Sequence, residues 1–146
     1  MSDADGLRYR KIPLNNGSDE IPALGFGTLI PDPIKTKDAT KTALEVGFRQ
    51  FDSAERYRNE EQVGEAMRAV FEAGKIKRKD VFVGTKLWNN NHSPARVRPA
   101  LEASLRRLQL DYVDLYGPTL HSLSNPATSK TRETPAVARF MTTRLR

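Results

Sequence analysis

The sequence contains no cysteine among its 146 residues. This absence excludes a disulfide framework, a thiolate nucleophile and cysteine-ligated zinc or iron–sulfur sites, and we predict no metal site. The chain also has no run of about 20 apolar residues, which a membrane span requires, and its first residues lack the basic and apolar regions of a secretory signal. We therefore expect a soluble, cytoplasmic protein without a membrane partner.

The net charge of +6 is distributed unevenly along the chain. Residues 1–116 hold 19 basic and 17 acidic residues, whereas residues 117–146 hold five basic residues and one acidic residue. The arginines of this C-terminal tail accompany no nucleic-acid-reading motif and no interleaved aromatic residues. We therefore predict no nucleic-acid partner.

The apolar pattern between residues 24 and 116 alternates between short strand-like runs and segments of helical period. This alternation is typical of βα units around a parallel sheet, and it predicts an α/β fold. The predicted strands cover residues 24–26, 48–52, 81–86 and 112–116. The predicted helices cover residues 37–46, 59–74 and 93–108, and Val46 is expected on the buried face of the first. Residues 7–14 and 20–23, on either side of an Asn-Asn-Gly-Ser turn signal, predict a β-hairpin before the sheet.

Gly117 and Pro118 are predicted to end the last strand. The sequence thus divides into residues 1–116 and a basic tail, residues 117–146, which is rich in Ser, Thr, Pro and Arg and is expected to be irregular. Four strands do not close a barrel, and open sheet edges favour association. Three alternatives remain: the chain is half of a larger fold, it pairs with another chain by self-association, or the tail covers an edge.

Two charged residues stand at the ends of neighbouring predicted strands. Asp52 ends the second strand and Lys86 ends the third, so one repeat of the fold brings them to the same edge. Tyr57 lies in the loop after Asp52. An ammonium group beside a phenol stabilises the deprotonated oxygen and makes proton donation easier. The alternative is that all three residues have only structural roles. Asp52 would then be a helix-capping or loop residue, Lys86 an exposed lysine and Tyr57 a packing residue.

Several motifs occur in an order that is similar to the aldo-keto reductase family. They are IPALGFGT at 21–28, GFRQFDSAERY at 47–57, NEEQVG at 59–64, TKLW at 85–88 and LDYVDLY at 110–116. The resemblance covers residues 8–116, and residues 117–146 do not resemble the family. It implies the N-terminal half of a (β/α)₈ TIM barrel preceded by a β-hairpin.

The resemblance also implies a chemistry, the NADPH-dependent reduction of aldehydes or ketones to alcohols, with a small-molecule carbonyl substrate. Tyr57 matches the tyrosine that donates a proton to the carbonyl oxygen, and Lys86 and Asp52 match its catalytic partners. Gly27 and Thr28, together with Asp52, match positions beside the nicotinamide half of the cofactor. Trp88 matches a residue of the substrate pocket.

The sequence departs from the family pattern after Tyr116. Thr119 stands where the family has a catalytic histidine, and whether His121 replaces that histidine is left open. The later strands, which bind most of the cofactor, have no counterpart. We therefore expect a truncated protein that is weakly active or inactive. The alternative is a non-catalytic fragment that acts as a binding or assembly module.

Overall fold

The computed structural model describes residues 6, 9–16 and 19–119. Strands β1 (Lys11–Pro13) and β2 (Glu20–Pro22) pair antiparallel, with Ile12 opposite Ile21. Residues 17 and 18, in the turn of the predicted hairpin, lie outside the described residues. Residues 120–146, which include His121 and most of the tail that was predicted to be irregular, also lie outside the described residues.

The centre of the fold is a parallel sheet of four strands in the order β3–β4–β5–β6. Its strands are β3 (Phe26–Gly27), β4 (Gln50–Asp52), β5 (Phe82–Leu87) and β6 (Leu115–Pro118). Helices connect successive strands: α1 (Pro33–Glu45), α2 (Glu60–Glu72) and α3 (Pro94–Leu108). The predicted α/β fold, with four parallel strands and three intervening helices, is confirmed. Within the described residues β3 and β6 are the sheet edges, and self-association through them stays a prediction.

Helix α1 begins earlier than the sequence analysis predicted. Pro33 occupies its first turn, and the Asp32 carboxylate accepts a hydrogen bond from the Lys35 N–H at 2.9 Å. These two signals start the helix four residues before Lys37, because proline presets the backbone and aspartate caps the free N–H groups. The prediction that Val46 is buried is wrong. Val46 follows the last helical residue and is 54% exposed.

Strand β6 begins and ends later than predicted. Asp114 lies before it, and its carboxylate accepts the Val83 N–H at 2.9 Å. The prediction that Gly117 and Pro118 end the strand is also wrong, because both belong to β6 and the Thr119 N–H still donates to the Leu87 carbonyl at 2.9 Å. Among the described strands β6 pairs only with β5, and proline is tolerated on an edge strand.

The core lies between the sheet and the helices. Its fully buried side chains include Leu44, Phe51, Val63, Met67, Val83 and Leu108. Helices α2 and α3 approach each other closely at Gly64, where a β-carbon would lie 2.5 Å from the backbone carbonyl of Leu108. The glycine in the NEEQVG motif is therefore a packing requirement, and it sets the distance between the two helices behind β5.

Candidate active site

Asp52 and Lys86 meet at the carboxyl end of the parallel sheet. Asp52 is the last residue of β4, and Lys86 lies near the end of the neighbouring strand β5. The Lys86 Nζ lies 2.5 Å from the Asp52 Oδ1, and it also donates to the Ser53 carbonyl at 2.9 Å. The lysine side chain is 28% exposed and the aspartate side chain 47% exposed. The ion pair is thus open on one side, as a site for a small molecule must be.

Tyr57 completes a cluster of three polar side chains. It ends a short 3-10 helix (Glu55–Tyr57) that directs the chain from β4 towards α2. The Lys86 Nζ donates to the Tyr57 hydroxyl oxygen at 3.1 Å, and that oxygen lies 3.5 Å from the Asp52 Oδ2. The predicted contact among Asp52, Tyr57 and Lys86 is confirmed. Their catalytic roles stay predictions.

Arg58 gives the chain a sharp change of direction directly after Tyr57. Its φ of 59° lies in the left-handed region, which is uncommon for a residue with a side chain. The Arg58 N–H donates back to the Glu55 carbonyl at 3.3 Å and closes the short helix. This turn fixes the position of Tyr57 relative to the end of the sheet.

Gly27 and Thr28, which the family resemblance places near the cofactor, occupy different environments. Gly27 pairs with Asp52 at the sheet end, and a β-carbon there would meet no atom within 4 Å. The space next to Gly27, at the strand end that also carries Asp52, is therefore open, and a cofactor contact of Gly27 stays a prediction. Thr28 is fully buried, and its hydroxyl donates to the Asp52 carbonyl at 3.0 Å. A direct cofactor contact of Thr28 stays a prediction.

Asn59 holds the loop after β3, a role that the sequence analysis missed. It is the residue before α2, a position where asparagine commonly caps a helix, but its side chain makes no capping hydrogen bond. Its amide instead donates to the carbonyls of Thr28 (2.6 Å) and Ile30 (3.1 Å). The segment that carries Tyr57 is thereby tied to the segment that carries Gly27 and Thr28. Only the tertiary contact identifies this role.

Trp88 follows β5 and lies two residues after Lys86. The Arg56 guanidinium lies over its ring, with its central carbon 5.1 Å from the ring centroid. The same two loops are joined a second time, because the Asn91 amide donates to both carboxylate oxygens of Glu55 at 3.3 and 3.4 Å. The loop with the proposed proton donor and the loop with the proposed pocket residue therefore contact each other directly.

Thr119, at the position of the family histidine, lies one residue beyond the end of β6. It is half-buried, and its hydroxyl oxygen has no hydrogen-bond partner among the residues that the structure describes. A threonine hydroxyl is shorter than an imidazole and carries no titratable nitrogen. Thr119 therefore does not reproduce histidine chemistry.

Behind the site, a buried carboxylate joins three elements of the fold. The side chain of Glu60, at the start of α2, is 1% exposed. It accepts hydrogen bonds from Thr85 of β5 (2.7 Å) and Ser104 of α3 (3.1 Å), and Arg107 of α3 pairs with it at 2.7 Å. Thr85 is the neighbour of Lys86. The network anchors the strand that presents the lysine.

Tyr116 is a buried phenol on β6, and burial raises its pKa well above its usual range, with the charges of Glu55 and Glu60 adding to the effect. The folded protein therefore favours the neutral phenol. The resulting stability is fully present below the unfolded pKa and is lost as pH rises above it. We expect the free energy of unfolding to fall above pH about 10, and less steeply in Tyr116→Phe.

Urea unfolding of the wild type and of Tyr116→Phe, from neutral pH to above pH about 10, measures how the free energy of unfolding of each protein depends on pH. At neutral pH we expect Tyr116→Phe to be at least as stable as the wild type, because the Tyr116 hydroxyl has no hydrogen-bond partner among the described residues. Identical pH dependence in the two proteins would contradict this role of Tyr116.

The chain is similar to one family of known proteins and to several of its members. It matches the Aldo/keto reductase family over residues 23–128. It is 54% identical over 112 residues to "Aldo-keto reductase family 1 member C1" of Homo sapiens and to "Prostaglandin F synthase 1" of Bos taurus, in each case covering 75% of this chain and 34% of the relative. It is 47% identical over 131 residues to "Aldo-keto reductase family 1 member C4" of Homo sapiens, covering 88% of this chain and 39% of the relative.

The chain therefore belongs to the aldo/keto reductase family, and the predicted family assignment is confirmed. It spans about a third of the length of the curated relatives named above. The family match extends to residue 128 rather than stopping at residue 116. Among the described residues, no helix is both long enough and apolar enough to cross a membrane.

Proposed function

We propose that the site formed by Asp52, Tyr57 and Lys86 reduces aldehydes or ketones to alcohols with NADPH. One observation supports this proposal above the others. The Lys86 ammonium contacts the Asp52 carboxylate and the Tyr57 hydroxyl at the same time, at 2.5 and 3.1 Å. This arrangement suits a phenol that gives up a proton, because a cation lies at hydrogen-bond distance from the phenol oxygen.

Each of the three side chains has a separate task in this proposal. The Tyr57 hydroxyl donates its proton to the carbonyl oxygen of the substrate, which gains negative charge as the carbonyl is reduced. The Lys86 ammonium stabilises the phenolate that remains, because an opposite charge at hydrogen-bond distance favours the ionised form. Asp52 holds the ammonium in place and balances its charge.

The cofactor would bind at the same end of the sheet. NADPH supplies a hydride when it is bound. The nicotinamide ring would lie in the open space next to Gly27, and Trp88 would line the substrate side. Thr28 and Asn59 would hold the cofactor-binding residues in position, since their hydrogen bonds fix the loop after β3.

The experiment is NADPH oxidation by the purified chain with 4-nitrobenzaldehyde. Thr119 replaces the family histidine, and the chain spans about a third of the length of its curated relatives. We therefore expect turnover at least about a thousandfold below that of a full-length relative, equivalent to roughly 4 kcal/mol of activation free energy. Turnover as fast as that of a full-length relative would contradict the predicted weak activity.

Lys86→Met should reduce this residual rate by a further factor of about a hundred, because the phenolate loses its stabilising charge. The matched control is Lys41→Met, which removes an exposed lysine from α1. Equal rates in Lys86→Met and Lys41→Met would contradict the proposed function. NADPH binding without any consumption of the aldehyde would favour the alternative of a non-catalytic binding module.

A further inference from the structure

Arg56 places a positive charge beside Trp88, the proposed residue of the substrate pocket. It is the middle residue of the 3-10 helix that ends at Tyr57, and its side chain is exposed. Its guanidinium lies over the indole of Trp88, 5.1 Å from the ring centroid. Stacking on an aromatic face holds a guanidinium in one orientation while its N–H edges stay accessible.

No carboxylate among the described residues neutralises Arg56. The nearest acidic residue in sequence, Glu55, accepts hydrogen bonds from the Asn91 amide. The carboxylate of the site, Asp52, pairs with Lys86. The guanidinium of Arg56 thus keeps its hydrogen-bond donors for solvent or for a ligand in the pocket.

We propose, building on the proposed carbonyl reduction, that Arg56 selects aldehydes or ketones that carry a carboxylate. A guanidinium binds a carboxylate through two parallel N–H···O bonds, a geometry that a neutral polar group does not match. The contact with Trp88 orders the arginine before the ligand arrives, which lowers the entropy cost of binding. The indole supplies an apolar surface for the rest of the ligand.

Binding can be measured without turnover, because Trp88 is the single tryptophan of the sequence and its fluorescence reports on this site. The probes are 4-carboxybenzaldehyde and its methyl ester, which share one ring and one aldehyde and differ in charge. We expect the acid to bind about fivefold more tightly than the ester, the size of one charge-assisted contact at an open site.

Arg56→Gln should abolish this preference, because it keeps a polar side chain and removes the charge. The matched control is Arg106→Gln, which removes the same charge from an exposed residue in the last turn of α3. It should keep the preference for the acid. The inference is overturned if the wild type binds acid and ester equally, if neither compound changes the fluorescence, or if Arg106→Gln loses the preference as Arg56→Gln does.

NADPH oxidation with the same two aldehydes separates this inference from the proposed function. A binding preference that depends on Arg56, without oxidation of NADPH by either aldehyde, supports the role of Arg56 and contradicts carbonyl reduction. Oxidation of NADPH with equal kcat/KM for acid and ester supports carbonyl reduction and contradicts the role of Arg56.

Discussion

Replacing Tyr57 with phenylalanine is expected to lower NADPH-dependent reduction of 4-nitrobenzaldehyde by at least about a hundredfold, the range assigned to a positioned proton donor. The substitution removes only the hydroxyl that contacts Lys86 at 3.1 Å and Asp52 at 3.5 Å. The ring remains beside the Lys86 ammonium, which lies 4.9 Å from its centroid. The loss of nicotinamide absorbance gives kcat/KM for both proteins.

Tyr112→Phe is the matched control, because it removes the same hydroxyl from a tyrosine three residues before β6, near the opposite end of the sheet. Its rate should equal that of the wild type. Thermal unfolding of the Tyr57→Phe protein should also resemble that of the wild type, since the removed hydroxyl is at the open edge of the site. A rate for Tyr57→Phe that equals the wild-type rate would refute proton donation by this residue.

Arg107→Met is expected to have the largest effect on stability. The Glu60 carboxylate, which is 1% exposed in the wild type, would keep its hydrogen bonds from Thr85 and Ser104 but lose its cation. Removing one partner of a buried ion pair typically costs about 3–5 kcal/mol, because the remaining charge is left uncompensated. The free energy of unfolding from urea titration measures this loss.

A second substitution at Glu60 distinguishes the buried charge from the loss of arginine packing. Adding Glu60→Gln to Arg107→Met should recover part of the lost stability, because an amide carries no charge. Its oxygen can accept from the hydroxyl of Thr85 or Ser104, and its NH₂ group can donate to the other hydroxyl. Arg106→Met, one position along α3 and exposed, should leave the stability unchanged. A double variant that is no more stable than Arg107→Met would contradict the importance of the buried charge.

The sequence predicted the part of the site that depends on parallel strands. The carboxyl ends of neighbouring parallel strands share one edge, so Asp52 and Lys86 had to approach each other once β4 and β5 were recognised. Tyr57 followed because it lies only five residues after Asp52. The alternation between strand-like apolar runs and segments of helical period predicted the four parallel strands and the three α-helices between them.

Features that depend on tertiary context could not be predicted from the sequence. Among the described strands β6 pairs with β5 alone, and this edge position lets Pro118 join the strand. Asn59 fits a capping pattern, but its amide binds carbonyls about 30 residues earlier in the chain. Glu60 fits the acidic first turn of a helix, and only the packing of α3 onto α2 reveals that it is buried.

Deuterium transfer from the cofactor tests carbonyl reduction most directly, and mass spectrometry detects it even when turnover is slow. The purified chain would be incubated with NADPH deuterated at C4 of the nicotinamide and with 4-nitrobenzaldehyde. If Asp52, Tyr57 and Lys86 form a reductase site, the wild type yields 4-nitrobenzyl alcohol with deuterium on the former carbonyl carbon, and Tyr57→Phe yields far less. No deuterated alcohol from the wild type, or equal amounts from both proteins, would contradict this function.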